Sequence, residues 1–181
     1  MFSKALEFAR YSHRKQRRKY SGLPYIMHCE EVAGILIMDH ADIDDVIIGI
    51  LHDTVEDCDV RITEIQGIFN DYIANGVFYL TDVYTHKNFP DMNRAKRKQL
   101  EAERLHKIPA RFQRIKCADI ISNTNGLFQF WSDEVTCHDL EFAKIYVPEI
   151  IATMSGFDKD QRLFRIASDL IEKAWRYINA V

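Results

Sequence analysis

Four ionisable residues follow an apolar stretch in Leu51-His52-Asp53-Thr54-Val55-Glu56-Asp57. Such groups at the end of a buried helix need water, partners or a metal ion, because an unpaired charge in apolar surroundings is costly. His52 and Glu56 are four apart, as are Asp53 and Asp57, so each pair shares a face if the helix continues. Neighbours on a helix diverge by about 100°. His52 and Asp53 can still reach one ion at a helix end, where ligands approach from either side. Two further donors complete a coordination set. His28 lies 24 residues before His52, just inside a second helical segment, and Asp119 lies 66 residues after Asp53 in Ile115-Lys116-Cys117-Ala118-Asp119, on an otherwise apolar face. Taken singly, each has a plain structural reading: a core or capping histidine for His28, and a carboxylate paired with Lys116 or Arg114 for Asp119. The joint pattern His…His-Asp…Asp is far more specific than any member.

Two imidazoles with two carboxylates suit Mn(II), Fe(II) or Zn(II) better than Ca(II) or Cu(I). The expected cofactor is one divalent metal, with manganese first because carboxylate content favours it and a phosphate compound is the expected substrate. A divalent cation neutralises phosphate oxygens and lowers the pKa of bound water. Glu56 and Asp57 would then position and deprotonate the attacking water, each raising the other's proton affinity. The other histidines, 13, 40, 86, 106 and 138, lack convincing ligand spacing, so one metal is read; His13 is expected to cap or pack.

Elements that position these groups read as helices. The first places Phe2, Leu6 and Ala9 on one side, and Ser-Gly-Leu-Pro breaks the pattern at 21–24. A second runs from near Pro24 to Met38. Asp42 or Asp44 caps a third that holds Val46, Ile47, Ile50 and Leu51, and Thr63 caps a fourth. Asn75-Gly76 is an ambiguous break before the pattern resumes towards Val83. A loop over Thr85–Met92 precedes a charged helix from Asn93 to Lys107. Pro109 opens the next helix, and Ser122–Gly126 has helix-ending character. Pro148 sits inside a helical stretch, and Phe157–Lys159 precedes a last helix with Phe164, Ile166, Ala167 and Leu170 on its apolar side. Alternating strand patterns are weak, so the fold class is an all-α, single-domain helical bundle over 1–181.

Composition agrees with one compact domain. The chain has 181 residues, 47% hydrophobic, with a formal net charge of -3, which signals neither a nucleic-acid partner nor disorder. Its four cysteines are widely and unevenly spaced, so neither a zinc knuckle nor a disulfide framework is expected. The N-terminus has no signal-peptide pattern and no apolar run approaches a membrane span, so a soluble, cytoplasmic protein is expected, a homo-oligomer being left open.

The ordered motifs resemble the HD phosphohydrolase superfamily, and within it the hydrolase domain of the RelA/SpoT alarmone enzymes, especially the short stand-alone hydrolases of the metazoan SpoT type. His13-Arg14-Lys15-Gln16 followed by Arg18-Lys19-Tyr20-Ser21-Gly22-Leu23-Pro24-Tyr25-Ile26-Met27-His28 is similar to that family's first motif. The segment 51–57 is similar to its second, and 115–119 with Asn123 to its third. A looser likeness runs through Trp131-Ser132 to Phe142-Ala143. The resemblance implies an HD bundle that hydrolyses the 3′-diphosphate of guanosine tetra- or pentaphosphate, yielding pyrophosphate and GDP or GTP, with removal of the NADPH 2′-phosphate also linked to the short group. No synthetase domain is expected in a chain of this length.

Substrate contacts are expected from Arg18, Lys19, Ser21, Tyr25, Lys116 and Asn123. The basic runs at 14–19 and 94–98 could hold several phosphates, although a charge run is more often a solvated face. Ile120 and Ser122 stand where the family usually has a basic residue and a His or Tyr. Leu23 and Cys29 replace a frequent Glu and a frequent Pro. These departures bear on which nucleotide is bound, and they keep open a nucleotidase or phosphatase acting on NADPH or a nucleoside monophosphate. An idle sensor module is the reading from another class, and intact Glu56-Asp57 argues against it.

Overall fold

The structure is a computed structural model; it describes residues 1–131 and 134–181, so the Ser132 of the looser motif lies outside the described residues. Two compact units are evident, Met1–Thr81 and Asp82–Val181.

In the first unit, α1 (Phe2–Ser12), α2 (Ile26–Met38), α3 (Ile43–Leu51), α4 (Thr54–Asp57), α5 (Ile62–Ile68) and α6 (Asp71–Leu80) follow in order. Its centre is α3. Val46, Ile47, Ile48, Ile50 and Leu51 are each at most 1% exposed, and burying such side chains contributes about 1.5–3 kcal/mol apiece. Helix α3 packs on α1, α2 and α6. Contact with α2 is close at Gly49, where a Cβ would come within 2.6 Å of Leu36 Cδ1. The face that α1 buries is Ala5 and Ala9, with Phe2 and Leu6 only half-covered, a correction to the expected stripe.

Helix α6 runs through Asn75-Gly76, so that pair is no break. A Cβ at Gly76 would meet Ile48 at 2.4 Å, so this glycine serves close helix approach rather than chain reversal. Asn70 caps α6 by accepting from the Ile73 amide at 2.8 Å, and the helix ends at Leu80. Asp42 precedes α3 as expected, whereas α5 starts from Arg61 and takes Thr63 into its first turn.

The second unit contains α7 (Arg94–Leu105), α8 (Ala110–Leu127), the strands β1 (Phe128–Trp131) and β2 (Glu134–Cys137), α9 (Leu140–Met154) and α10 (Arg162–Ala180). Asn93 and Asp139 cap α7 and α9 through side-chain oxygens. Pro109 sits at the start of α8, and Pro148 lies within a continuous α9. Helix α10 packs on α8 and α9, and α9 on α7.

Here the structure departs from the expected pattern in three places. Helix α8 continues past Ser122–Gly126 to Leu127, which keeps Asn123 helical. The buried stripe of α10 is Leu163, Ala167, Ile171, Ala174 and Ile178, rotated from the expected set because its neighbours also offer apolar side chains. Strands β1 and β2 form an antiparallel pair, Phe128 opposite Cys137 and Trp131 opposite Glu134. With four residues each they are too short for a period of two to stand out in sequence. The other regular elements among the described residues are helices, and all four cysteines are free thiols. No helix among the described residues is long and apolar enough to cross a membrane.

Two helical glycines give a paired test of the α3 packing. Nothing lies within 4 Å of a Cβ built at Gly34 in α2. Gly34→Ala is therefore expected to stabilise the protein by about 0.5–1 kcal/mol, from helix propensity and chain entropy. Gly76→Ala is expected to destabilise it by about 1–3 kcal/mol through overpacking against Ile48. Urea unfolding curves of the two variants should move in opposite directions.

Candidate metal centre

Side-chain hydrogen bonds to the end of α3 build the first half of the site. His52 Nδ1 donates to the Gly49 carbonyl at 2.9 Å, and Thr54 Oγ1 donates to the Leu51 carbonyl at 2.6 Å. These bonds take up carbonyls that a helix terminus leaves open, and the chain turns at His52-Asp53 before resuming as α4. The helix does not continue through the dipeptide. The turn brings Asp53 Oδ2 to 3.1 Å from His52 Nε2.

His28 approaches from the first turn of α2, which is entered through the Pro24 and Tyr25 carbonyls. Its Nε2 lies 3.5 Å from the same Asp53 oxygen, and the His28 and His52 rings are 5.3 Å apart. Both imidazoles are at most 2% exposed. With Nδ1 of His52 committed to a backbone carbonyl, its Nε2 carries the lone pair, the tautomer a metal requires. Two imidazole nitrogens and one carboxylate oxygen thus converge within the first unit, a donor set that fits a divalent transition ion. Tyr25 closes this group, its hydroxyl donating to Asp53 Oδ2 at 2.7 Å. Sequence reasoning placed Tyr25 with the substrate and missed this bond. Its position three residues before His28, at the N-cap of α2, was the available signal.

Glu56 and Asp57 lie in α4, both on the exposed side. The Asp57 carboxyl is raised from its ordinary value, first by desolvation from the surrounding chain and second by the charge of Asp53, with the nearby Gln16 amide and the His13 and His52 imidazoles acting in the opposite direction. Asp53, rather than the adjacent Glu56, is thus the carboxylate that raises its proton affinity. Cys58 follows, its thiol pushed up to about 11, first by burial and then by Asp57 and Asp53, so it stays protonated.

The loop before α2 turns at Gly22, whose φ of 68° is readily adopted only without a Cβ. Arg17 and Pro24 bridge its two arms, the Arg18 amide donates to the Leu23 carbonyl, and the Ser21 hydroxyl accepts from the Leu23 amide. Arg18 pairs with Glu31 at 3.2 Å, while Lys19 Nζ lies 4.9 Å from the Tyr20 ring centre.

In the second unit, α8 brings Lys116, Asp119 and Asn123 together on successive turns. Lys116 Nζ reaches Asp119 Oδ2 at 2.8 Å, and Asn123 Nδ2 donates to Asp119 Oδ1 at 2.6 Å. Asp119 is 5% exposed, so both of its oxygens are engaged in a nearly dry setting. The ion pair anticipated for Asp119 forms with Lys116. Ile120 and Ser122, the departures from the family pattern, are buried at 1% and 2%. The second basic run is largely engaged: Arg94 makes a two-pronged pair with Glu149, Lys98 pairs with Asp82 at 2.7 Å, and Arg97 bonds the Met92 carbonyl.

Comparison with known proteins identifies the family. Residues 5–148 match the HD domain family. The chain is 38% identical over 159 residues to guanosine-3′,5′-bis(diphosphate) 3′-pyrophosphohydrolase MESH1 of Homo sapiens, covering 86% of this chain and 85% of that protein. It is 32% identical over 185 residues to GTP pyrophosphokinase rsh of Brucella melitensis biotype 1; the match takes in 99% of this chain but only 23% of the length of that curated relative. A solved structure described as a metazoan ortholog of SpoT that hydrolyses ppGpp superposes with a TM-score of 0.79 at 25% identity, covering 95% of this chain and 93% of that one. With its motifs, its helical architecture and its relatives in agreement, the chain belongs to the HD-domain family, in the branch of short hydrolases of the metazoan SpoT type.

Proposed function

We propose that this protein is a metal-dependent hydrolase that removes the 3′-diphosphate of guanosine tetra- or pentaphosphate. The observation that carries the reading is the convergence of His28, His52 and Asp53 within the first unit, directly followed by Glu56 and Asp57. The MESH1 relative is named for this hydrolysis, which supports the choice of substrate. Asp119, a buried carboxylate, is assigned as the fourth ligand on the likeness of residues 115–119 to the family's third motif. One ion is expected, manganese ahead of iron or zinc, since half of the donors are carboxylates. When bound it supplies charge neutralisation at the phosphate oxygens and a more acidic water.

In this reading Glu56 and Asp57 orient a water and take its proton as it attacks the phosphorus attached to the ribose 3′ oxygen. The bond from that phosphorus to the ribose oxygen breaks, the oxygen acquires a proton, and pyrophosphate leaves with GDP or GTP as the second product. Arg18 and Lys19 bind phosphate or base from the Gly22 loop, with Ser21 shaping that loop. Lys116 and Asn123 meet the substrate from α8, where they also hold the Asp119 carboxylate. Tyr25 orients Asp53. The two units act as one catalytic domain of residues 1–181, consistent with a family match that runs through both. The burial of Ile120 and Ser122, where relatives usually carry polar or charged groups, favours a second reading: hydrolysis of another nucleotide, such as NADPH or a nucleoside monophosphate, by the same machinery.

Turnover of a nucleotide panel with Mn(II) tests both readings. Release of pyrophosphate from the tetraphosphate supports the first, whereas cleavage of NADPH or a monophosphate with the tetraphosphate untouched replaces it with the second. Glu56→Ala is expected to keep its metal and lose most turnover; a variant with unchanged turnover removes Glu56 from the reaction. His52→Ala is expected to bind little metal and to melt earlier, since it loses both a ligand and the Gly49 bond. Tyr25→Phe should weaken metal binding by about 10–100-fold, the usual effect of deleting an outer partner of a ligand, measured by competition with a chelator.

A further inference from the structure

The cations before and in the Gly22 loop crowd one another. Arg14, Lys15, Arg17, Arg18 and Lys19 stand within six positions, and no acidic residue occurs between Glu7 and Glu30. A block of like charges repels itself and tends to disorder. A counter-charge for any of them must therefore come from another element.

Arg18 receives one. The turn fixes its backbone first: the Arg18 amide donates to the Leu23 carbonyl at 2.8 Å, and its carbonyl accepts from the Gly22 amide at 3.0 Å. Helix α2 then fixes its side chain. Arg18 Nη1 donates to Glu31 Oε2 at 3.2 Å, and only 15% of the Arg18 side chain is exposed, against 58% for Glu31. Glu31 stands in α2 about one turn after His28. The helix that supplies an imidazole of the metal centre thus also supplies the carboxylate on Arg18. Guanidinium donors lie in one plane, in a fixed fork. A bond to one of them orients the whole plane, and with it the edge and the face that can meet a phosphate or a base.

We infer that Glu31 is a positioning residue that pre-orients the Arg18 guanidinium for substrate. This deepens the proposed function and rests on the role given there to Arg18. Glu31 acts only through Arg18. Ordering a rotamer-rich side chain during binding lowers affinity by about 3–10-fold, and an arginine already ordered by α2 avoids that loss. The effect belongs to KM rather than kcat. Charge alone makes the opposite demand: a carboxylate beside a site for a polyanion repels it, so deleting Glu31 would lower KM. Glu30 is the control for that effect. It is the next-door carboxylate on α2, and its partner is Arg10 of α1 at 2.7 Å rather than a residue of the loop.

The experiment uses the full chain and whichever panel nucleotide the unaltered protein turns over fastest, with kcat, KM and melting temperature measured for each variant. Glu31→Ala is expected to raise KM about 3–10-fold with kcat within about twofold. Its melting temperature should hardly move, since a largely exposed ion pair adds little stability. Glu31→Gln, whose amide oxygen still accepts from Nη1, should recover part of the loss. Glu30→Ala should leave KM unchanged or lower it. In an Arg18→Ala background, Glu31→Ala should raise KM no further, because a residue that acts only through another has no effect once that partner is gone. A KM that stays level or falls in Glu31→Ala, or that rises as much when Arg18 is already alanine, overturns the inference. Arg18→Ala by itself separates the two levels. If it raises KM while Glu31→Ala does not, only the positioning role fails; if it leaves kcat and KM unchanged, the role of Arg18 fails and this inference with it.

Discussion

The hydrogen bond from His52 Nδ1 to the Gly49 carbonyl is the constraint on which the first half of the site depends. It does two things at once. It closes the last turn of α3, so that the chain bends at the dipeptide instead of continuing as a helix. It also selects the tautomer that leaves Nε2 with a lone pair. The Thr54 hydroxyl on the Leu51 carbonyl secures the same bend. Without the bend, adjacent residues would diverge around a helix, and Asp53 would not bring one oxygen within 3.1 Å of the neighbouring imidazole.

That arrangement needs a rigid base, which α3 provides. Its apolar side chains face helices on several sides, and Gly49 and Gly76 let α2 and α6 approach where a methyl group would collide. The glycine whose carbonyl anchors His52 is thus also the one that admits Leu36. Close packing resists motion, so the geometry of His52 and Asp53 is set by the core rather than by the loop. Polar groups at the rim are then tied down one by one: Asp53 by Tyr25 and Arg18 by Glu31. A site that must hold several carboxylates close together gains from such ties, because their mutual repulsion otherwise spreads them.

In the second unit the helical spacing of α8 does comparable work. Lys116, Asp119 and Asn123 recur at three and four residues and therefore share one face. Both Asp119 oxygens are engaged, which offsets the cost of burying a carboxylate. The residues that set this chain apart from the family pattern, Ile120 and Ser122, sit in the same helix and are buried.

The sequence by itself was enough for the helical class, the motif order and the donor types, because the period of apolar residues and the run of ionisable groups after α3 are local properties. Asp42 ahead of α3 and the turn at 21–24 were legible for the same reason, whereas the capping side chains Asn70, Asn93 and Asp139 were not named as caps and Thr63 proved to lie inside its helix. What only tertiary structure decided depends on who packs against whom. Asn75-Gly76 reads as a break until Ile48 is seen to fill the space a side chain would need. The stripe of α10 was misplaced by partial rotation, since several of its faces are apolar and only contact selects one. Strands of four residues leave too few alternations to detect. Likewise Tyr25 could be named as an aromatic near the site, but its bond to Asp53 joins residues 28 apart, and no local pattern encodes a distance between two side chains brought together by folding.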